Sequence, residues 1–130
     1  MRFKTLALMF CLALATMGID NCDNKPDLMP VNPSNIVNWC DIDGGDLTVH
    51  IMNQGFANAG SSTTSVDFGG AGTVDVPTPS ILSGQTVSVT VPIPGGCFDP
   101  DCGFTIEVDY DDDVEEALED NNTQEGSCLG

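Results

Sequence analysis

Apolar and polar residues alternate along parts of the chain. Four stretches show this period of two: residues 47–52, 65–68, 86–91 and 104–110. In the first stretch, Leu47, Val49 and Ile51 supply the apolar positions. Successive side chains of a β-strand point to opposite faces, so each stretch predicts a strand with one buried and one solvated face.

Turn-forming residues separate these stretches. They are Gly44-Gly45, Asn53-Gln54-Gly55, Gly69-Gly70, Ser83-Gly84 and Gly95-Gly96. A helical pattern is confined to residues 114–120. About seven short strands with turns every ~8–12 residues predict an all-β, immunoglobulin-like antiparallel β-sandwich.

The chain begins with the pattern of a secretory signal peptide. Arg2 and Lys4 precede an apolar run over residues 6–15, and small residues follow. We expect cleavage after Gly18, with Ala15 as the alternative site. The apolar run has about half the ~20 residues that a membrane-spanning helix needs, so we expect no membrane span. The sequence therefore predicts a secreted, extracellular or bacterial cell-surface protein.

The rest of the chain divides into three segments. Residues 19–33 are polar and proline-rich, which predicts an extended arm with at most one short edge strand around Leu28–Val31. Residues 34–125 carry the strand pattern and are the predicted sandwich domain. Residues 126–130 are expected to form a C-terminal tail that contains Cys128.

The charge of the chain restricts its partners. It has 20 acidic and 3 basic residues and a formal net charge of −17. Removal of the signal peptide would leave Lys25 as the only basic residue. Such a surface repels nucleic acid and anionic lipid, because both require Lys and Arg to replace their counterions. It suits divalent cations or basic protein partners instead.

Five cysteines lie outside the predicted signal peptide. We expect Cys97 and Cys102 to close a tight loop, and Cys40 and Cys128 to form a long-range disulfide. Cys22 is left as a free thiol or an intermolecular link. Cysteine spacing alone leaves other connectivities open. A zinc site is disfavoured because no second close cysteine pair accompanies Cys97 and Cys102.

Three groups of residues resemble the CARDB family, the cell-adhesion-related domain found in bacteria. They are Leu47-Thr48-Val49 leading to Asn53-Gln54-Gly55 and Ala59-Gly60-Ser61; Ile81-Leu82-Ser83-Gly84-Gln85; and Val108-Asp109 leading to Asn121-Asn122-Thr123. The last group is similar to a family pattern that ends in Glu-x-x-Glu-x-Asn-Asn. The resemblance as a whole covers about residues 26–123.

This resemblance implies an immunoglobulin-like sandwich and an extracellular, non-enzymatic module of adhesion or surface proteins. Family members usually stand in tandem within a longer chain, whereas we expect a single domain with its own signal peptide here. The chain also has Tyr110 where the family often has proline, and an additional Trp39-Cys40 near the first strands.

The acidic segment near the C-terminus is the main candidate site. We hypothesise that calcium binds to Asp109, Asp111, Asp113, Glu116, Glu119 and Asn122. Calcium prefers hard oxygen ligands, and carboxylates at alternating positions of a turn can face a common centre. The alternative is that the acids are solvated while Asn121 and Asn122 cap backbone groups.

Other candidate chemistry has less support. His50, the only histidine, is expected on the outward face of a strand, solvated or packed against the neighbouring strand. No ordered set of nucleophile, base and orienting acid is recognisable. We therefore predict a protein that is not an enzyme.

Three functions are compatible with these features. The first is an adhesion or scaffold module that calcium stabilises and that binds a protein or cell-surface partner. The second is a subunit of an extracellular filament, a homo-polymer in which the arm and Cys22 join neighbouring copies. The third is a secreted inhibitor of a basic partner.

Overall fold

The computed structural model describes residues 24–130. The predicted signal peptide and Cys22 lie outside these residues. The described part contains eight strands: β1 (Leu28–Val31), β2 (Ile42–Asp43), β3 (Asp46–Asn53), β4 (Ser62–Asp67), β5 (Thr73–Thr78), β6 (Thr86–Pro92), β7 (Cys102–Glu107) and β8 (Thr123–Cys128). A single 3-10 turn, Gly69–Ala71, separates β4 from β5. Within the described part, no helix has the length and apolar character needed to cross a membrane.

The strands form two antiparallel sheets. In the first sheet, β6 pairs with β3 along its length, while β1 and β2 pair with opposite halves of the other edge of β3. In the second sheet, the strand order is β5-β4-β7-β8. The fold is therefore an all-β antiparallel sandwich, which confirms the fold class predicted from the sequence.

The alternating pattern explains how the two sheets pack. Leu47, Val49 and Ile51 of β3 are buried, whereas Thr48 and His50 between them are partly exposed. From the second sheet, Val66 and Ile106 enter the same core. Burying a side chain of this kind stabilises the fold by about 1.5–3 kcal/mol relative to leaving it exposed.

Two disulfides join the described cysteines. Cys40 bonds to Cys128, 88 residues later, and Cys97 bonds to Cys102. These are the two pairs that the sequence analysis favoured. The first bond ties the segment before β2 to the last strand, and the second closes the loop that leads into β7.

The first strand belongs to the sandwich. Leu28–Val31 pairs with β3 and is the short edge strand expected at these residues, and Leu28 is fully buried. The sandwich therefore begins inside the segment expected to be an arm. Pro30 is tolerated because β1 pairs with only one strand and does not need every backbone N–H. Because β1 is paired with β3 of its own chain, a contact with a neighbour's sheet would use the other edge of β1, which is unpaired within residues 24–130. Cys22, the second element of the filament hypothesis, lies outside the described residues.

The C-terminal region also differs from the expectation. Residues 126–128 belong to β8 and are not a tail, and residues 114–120 form an irregular loop without a helix. The sequence of β8 lacks the alternating apolar pattern of a strand, because it contains Gly126 in place of an apolar residue. A Cβ at Gly126 would lie 2.6 Å from the ring of Phe104 and 2.7 Å from the Asn38 carbonyl oxygen. Close packing therefore requires a glycine there.

Candidate cation-binding site

The acidic loop, residues 108–122, connects β7 to β8. Asp109 and Asp112 have positive φ angles of 54° and 57°, a left-handed conformation that Asp tolerates better than most residues. Asp109 stabilises the loop through its own carboxylate, which accepts hydrogen bonds from the backbone N–H of Asp113 (2.9 Å) and of Val114 (3.3 Å). The sequence thus folds locally around a buried aspartate.

Three carboxylates of the acidic loop converge. One oxygen from each of Asp109, Asp112 and Glu119 lies within 4.8 Å of the others. Oxygens that bind one calcium ion at about 2.3–2.6 Å must lie within about 5 Å of one another, so this spacing fits shared coordination. Asp109 is 4% exposed, whereas Asp112 and Glu119 are open to solvent. The cluster combines a fixed buried ligand with two adjustable ones.

The electrostatics of the acidic loop disfavour several charges at once. Burial raises the pKa of Asp109, although its hydrogen bonds partly oppose this effect. The pKa of Glu119 is also raised, first by burial and then by the neighbouring charges of Asp112 and Asp109. Each raised pKa means that the charged form is destabilised. A bound cation would reverse that penalty.

Glu116 is a buried neighbour of this cluster and contacts Asp109. It is 4% exposed, and its carboxylate accepts hydrogen bonds from the Leu28 backbone N–H (2.7 Å) and from Asn122 Nδ2 (2.8 Å). Burial raises its pKa to about 8, and a hydrogen bond to Asp109 contributes in the same direction. Glu116 therefore connects the acidic loop to β1.

The acidic loop packs on residues 25–28, which lie before and at the start of β1 and are called its seat below. Asp27 is 1% exposed and accepts hydrogen bonds from Gln54 Nε2 (3.1 Å) and Asn121 Nδ2 (2.9 Å). The Ala117 backbone N–H donates to the Pro26 carbonyl oxygen at 2.9 Å. These contacts hold the acidic loop against a segment about 90 residues earlier in the chain.

The structure brings together only part of the predicted ligand set. Asp109 and Glu119 lie in the cluster, and Glu116 and Asn122 lie behind it. Asp111 and Asp113 are exposed and outside it. Asp112 was not predicted as a ligand. The prediction used alternating residues, whose side chains share one face only when the chain is extended. The left-handed conformation of Asp112 turns the chain instead. The run of three aspartates, a residue type that accepts this conformation, was the available signal.

Among residues 24–130, the side chains of Asn121 and Asn122 make hydrogen bonds to carboxylates and not to backbone groups. Their Nδ2 atoms donate to the carboxylates of Asp27 and Glu116. The Oδ1 atoms of Asn121 and Asn122 are buried without a hydrogen-bond partner among the described residues.

A second polar group lies on the outer face of the first sheet. His50 Nε2 is 2.7 Å from Asp41 Oδ2, and His50 Nδ1 is 2.8 Å from the hydroxyl of Ser88 on the paired strand β6. The residue types are those of a serine hydrolase. However, the cavity beside His50 and Asp41 has a volume of about 10 Å³, the space of a single water. This arrangement is a cross-strand polar contact, one of the two positions expected for His50.

Comparisons with known proteins agree with this description. The CARDB family model matches residues 25–126. The chain is similar to a domain, residues 272–376, of a candidate cell surface protein from Methanosarcina acetivorans, solved by NMR in solution. The TM-score is 0.62 at 23% identity, over 81% of this chain and 91% of that one.

A crystal structure provides a further comparison. It contains the CARDB domain of a Pyrococcus furiosus protein in complex with di-metal ions, with a TM-score of 0.55 at 20% identity. The similarity covers 81% of this chain and 88% of that one. The comparison with curated proteins found no significant match.

Proposed function

Because the chain belongs to the CARDB family, we propose that it is a non-enzymatic cell-surface module whose acidic loop is stabilised by a bound calcium ion. The observation that carries the proposal is the convergence of Asp109, Asp112 and Glu119, whose carboxylate oxygens lie within 4.8 Å of one another. The role is adhesion or scaffolding toward a protein or cell-surface partner.

Several features support an extracellular location. The N-terminal sequence has the order of a secretory signal peptide. Two disulfides join the described cysteines, and such bonds persist in oxidising compartments. The similar Methanosarcina domain comes from a candidate cell surface protein.

Calcium suits the donor set of the acidic loop better than softer metals do. The converging side chains offer only carboxylate oxygens, and the described residues place neither histidine nor cysteine in the cluster. The Pyrococcus domain of the same fold was solved with di-metal ions. In the present chain, a cation would offset the burial and repulsion that raise the pKa of Asp109 and of Glu119.

Stabilisation of the acidic loop has a structural consequence. Glu116 and Asn121 bind this loop to the residues around β1. A cation that fixes the loop would therefore also fix the first strand of the sandwich. Calcium would act on the integrity of the module at the cell surface, where this ion is available at high concentration.

Thermal unfolding of the purified secreted protein, with disulfides intact, tests the calcium site. We expect excess calcium to raise Tm by several degrees relative to a chelator, since a ligand of the native state stabilises by mass action. Magnesium, which demands near-ideal octahedral geometry, should raise Tm less. Glu119→Gln should abolish the calcium effect. Asp43→Asn, which removes an exposed charge on β2, should preserve it.

Equal unfolding curves in calcium and chelator would overturn the calcium part of the proposal. An equal loss of the calcium response in both variants would mean that the ion screens net charge without occupying a site. The adhesion part has its own test, because labelled protein should bind to intact cells or cell-wall preparations and should show no hydrolysis of ester, glycoside or peptide substrates. Failure to bind any such preparation would argue against adhesion.

A further inference from the structure

The solvent face of the β5-β4-β7-β8 sheet alternates carboxyl and hydroxyl side chains. Strand register places them in two adjacent rows across the sheet: Asp75, Ser65, Glu107 and Thr123 in one, and Thr73, Asp67, Thr105 and Glu125 in the other. Each carboxylate therefore has a hydroxyl residue as its cross-strand neighbour. No basic residue stands in either row, so the face carries uncompensated negative charge.

A cleft of about 230 Å³ opens on this face. It is lined by Ser65, Asp67, Thr73, Thr105, Glu107 and Tyr110. Tyr110 forms one wall, and its backbone N–H donates to the Thr63 carbonyl oxygen at 2.8 Å, which fixes it over β4. Pockets for drug-sized ligands have volumes of about 300–1,000 Å³, so this smaller cleft suits a single side chain.

Ser65 shows that the cleft encloses a polar group. Its neighbours Thr64 and Val66 point into the core, so Ser65 points outward, yet it is only 4% exposed. The walls of the cleft therefore bury it. Its hydroxyl lines the cleft and has no hydrogen-bond partner among the described residues. This hydroxyl can accept a hydrogen bond from a ligand in the cleft.

We propose that this cleft binds the guanidinium group of an arginine side chain from a basic protein partner. The carboxylates of Asp67 and Glu107 are the charged acceptors, and the hydroxyl groups of the lining offer further ones. Tyr110 is half exposed, and its ring can stack on a planar cation. A guanidinium group combines flat stacking with a fork of donors, whereas a lysine ammonium group offers neither.

The proposal names a partner chemistry beyond the calcium-stabilised module, and it does not rest on the cation. Within the described residues, Asp67 and Glu107 belong to no group of three side chains close enough to hold a metal. The formal net charge of −17 attracts a basic partner at long range, and the cleft then distinguishes arginine from lysine.

The test uses three end-blocked tripeptides, Gly-Arg-Gly, Gly-Lys-Gly and Gly-citrulline-Gly. Each is titrated into the purified protein at low ionic strength, and the amide signals of β4 and β7 are followed by NMR. The arginine peptide should shift these signals with saturation, and should bind about threefold or more tightly than the lysine peptide. Citrulline, which keeps the shape but loses the charge, should not bind.

Variants separate the cleft from general electrostatics. Glu107→Gln should weaken arginine binding about tenfold, the loss of one charge-assisted contact. Tyr110→Ala should weaken it severalfold, whereas Tyr110→Phe, which keeps the ring, should bind like the parent protein. Asp43→Asn removes one exposed charge on the other sheet and should change the affinity by less than about twofold. Thermal unfolding confirms that each variant is folded.

Three outcomes would overturn the proposal. The first is equal binding of the arginine and lysine peptides, and the second is equal weakening by Glu107→Gln and Asp43→Asn. Either result would mean that net charge alone explains the binding of the peptides. The third is saturable binding of neutral sugars, without peptide binding, at the same signals. Repeating the titration in calcium and in chelator distinguishes failure of the cleft from failure of the cation site.

Discussion

Two acidic segments of the domain have similar composition and different structures. Residues 41–46 carry three aspartates around Gly44 and Gly45, whose positive φ angles of 63° and 92° form the turn between β2 and β3. Their carboxylates remain at least partly exposed. The acidic loop buries Asp109 and Glu116 to 4% exposure and brings its carboxylates together. Burial raises the pKa values of Asp109, Glu116 and Glu119 in this loop.

The difference arises from what each segment packs against. The turn at 41–46 returns the chain between two adjacent strands and lets its charges reach water. The acidic loop instead lies on residues 25–28, where Glu116 and Ala117 make hydrogen bonds to the backbone. Acidic composition alone therefore does not distinguish the two segments. The contacts that bury Asp109 and Glu116 do.

The largest expected effect comes from removing the seat of the acidic loop. A Cβ at Gly55 would lie 2.6 Å from both the Asp27 nitrogen and the Pro26 carbonyl carbon, atoms of a fixed backbone. Gly55→Ala should therefore displace residues 25–28 and lower the free energy of unfolding by about 3 kcal/mol, as overpacking of a rigid site does. Chemical denaturation in chelator measures this loss.

Gly60→Ala is the matched control for this substitution. A Cβ at Gly60 would meet nothing within 4 Å, and Gly60 has no positive φ angle. Its free energy of unfolding should change by less than about 1 kcal/mol, with a stabilising sign from the reduced freedom of the unfolded chain. Equal losses at Gly55 and Gly60 would show that residues 25–28 do not form a rigid seat.

The second effect concerns the bond between the acidic loop and β1. Glu116→Ala would leave the buried backbone N–H of Leu28 without its acceptor, and we expect a loss of about 2–3 kcal/mol. Glu116→Gln keeps an acceptor for Leu28 and keeps a donor for Asp109, which the protonated carboxyl group provides in the parent protein. The Oδ1 atom of Asn122, which has no partner among the described residues, can turn to accept from the new amide.

The glutamine variant should therefore lose less than about 1 kcal/mol at neutral pH. Denaturant titrations of both variants at pH 7 in chelator provide the comparison. A loss as large for glutamine as for alanine would mean that the charge of Glu116, and not its hydrogen bonding, holds the acidic loop to β1.

The third effect is a dependence of stability on pH. Burial raises the pKa of Glu116 from 4.5 to about 8 in the folded protein. Between these values the folded protein binds more protons than the unfolded chain, so stability is greatest below about pH 4.5 for this group and falls as pH rises toward 8. One such group contributes a slope of at most about 1.4 kcal/mol per pH unit.

Unfolding measured from pH 5 to pH 9 in chelator should show this decline, and Glu116→Gln should flatten it. The raised pKa values of Asp109 and Glu119 act with the same sign. The turn at residues 41–46 offers the comparison, because Asp43→Asn should leave the slope of the parent protein. A rise of stability with pH in the parent protein would contradict the burial of Glu116 in its neutral form.

The sequence predicted the fold class because strand alternation and turn residues are local signals. The same signals were weak in β1, which contains Pro30, and in β8, which contains Gly126. Both strands exist because of tertiary contacts: Leu28 enters the core, and Gly126 allows Phe104 and Asn38 to approach. Such contacts join distant parts of the chain, so no periodic pattern in the sequence predicts them.

The candidate site shows the same limit. Composition located the acidic loop, and Asp109 and Glu119 were predicted as ligands. Asp112 depends on a left-handed backbone, and the role of Glu116 depends on a hydrogen bond to Leu28. The cleft beside Tyr110 was not predicted because its residues come from β4, β5, β7 and the following loop. Only strand register places them together.

The smallest expected effect concerns the surface ion pair of the acidic loop. Lys25 Nζ lies 2.9 Å from Glu115 Oε2, and the Glu115 side chain is 81% exposed. Solvent screens such a pair, so Glu115→Gln should lower the free energy of unfolding by less than about 0.5 kcal/mol, and the difference should vanish in high salt. Asp43→Asn in β2 should have an effect of the same size. If Glu115→Gln instead approached the cost of Glu116→Ala, the acidic loop would be held by its surface charges, and burial of Glu116 would no longer explain how the two acidic segments differ.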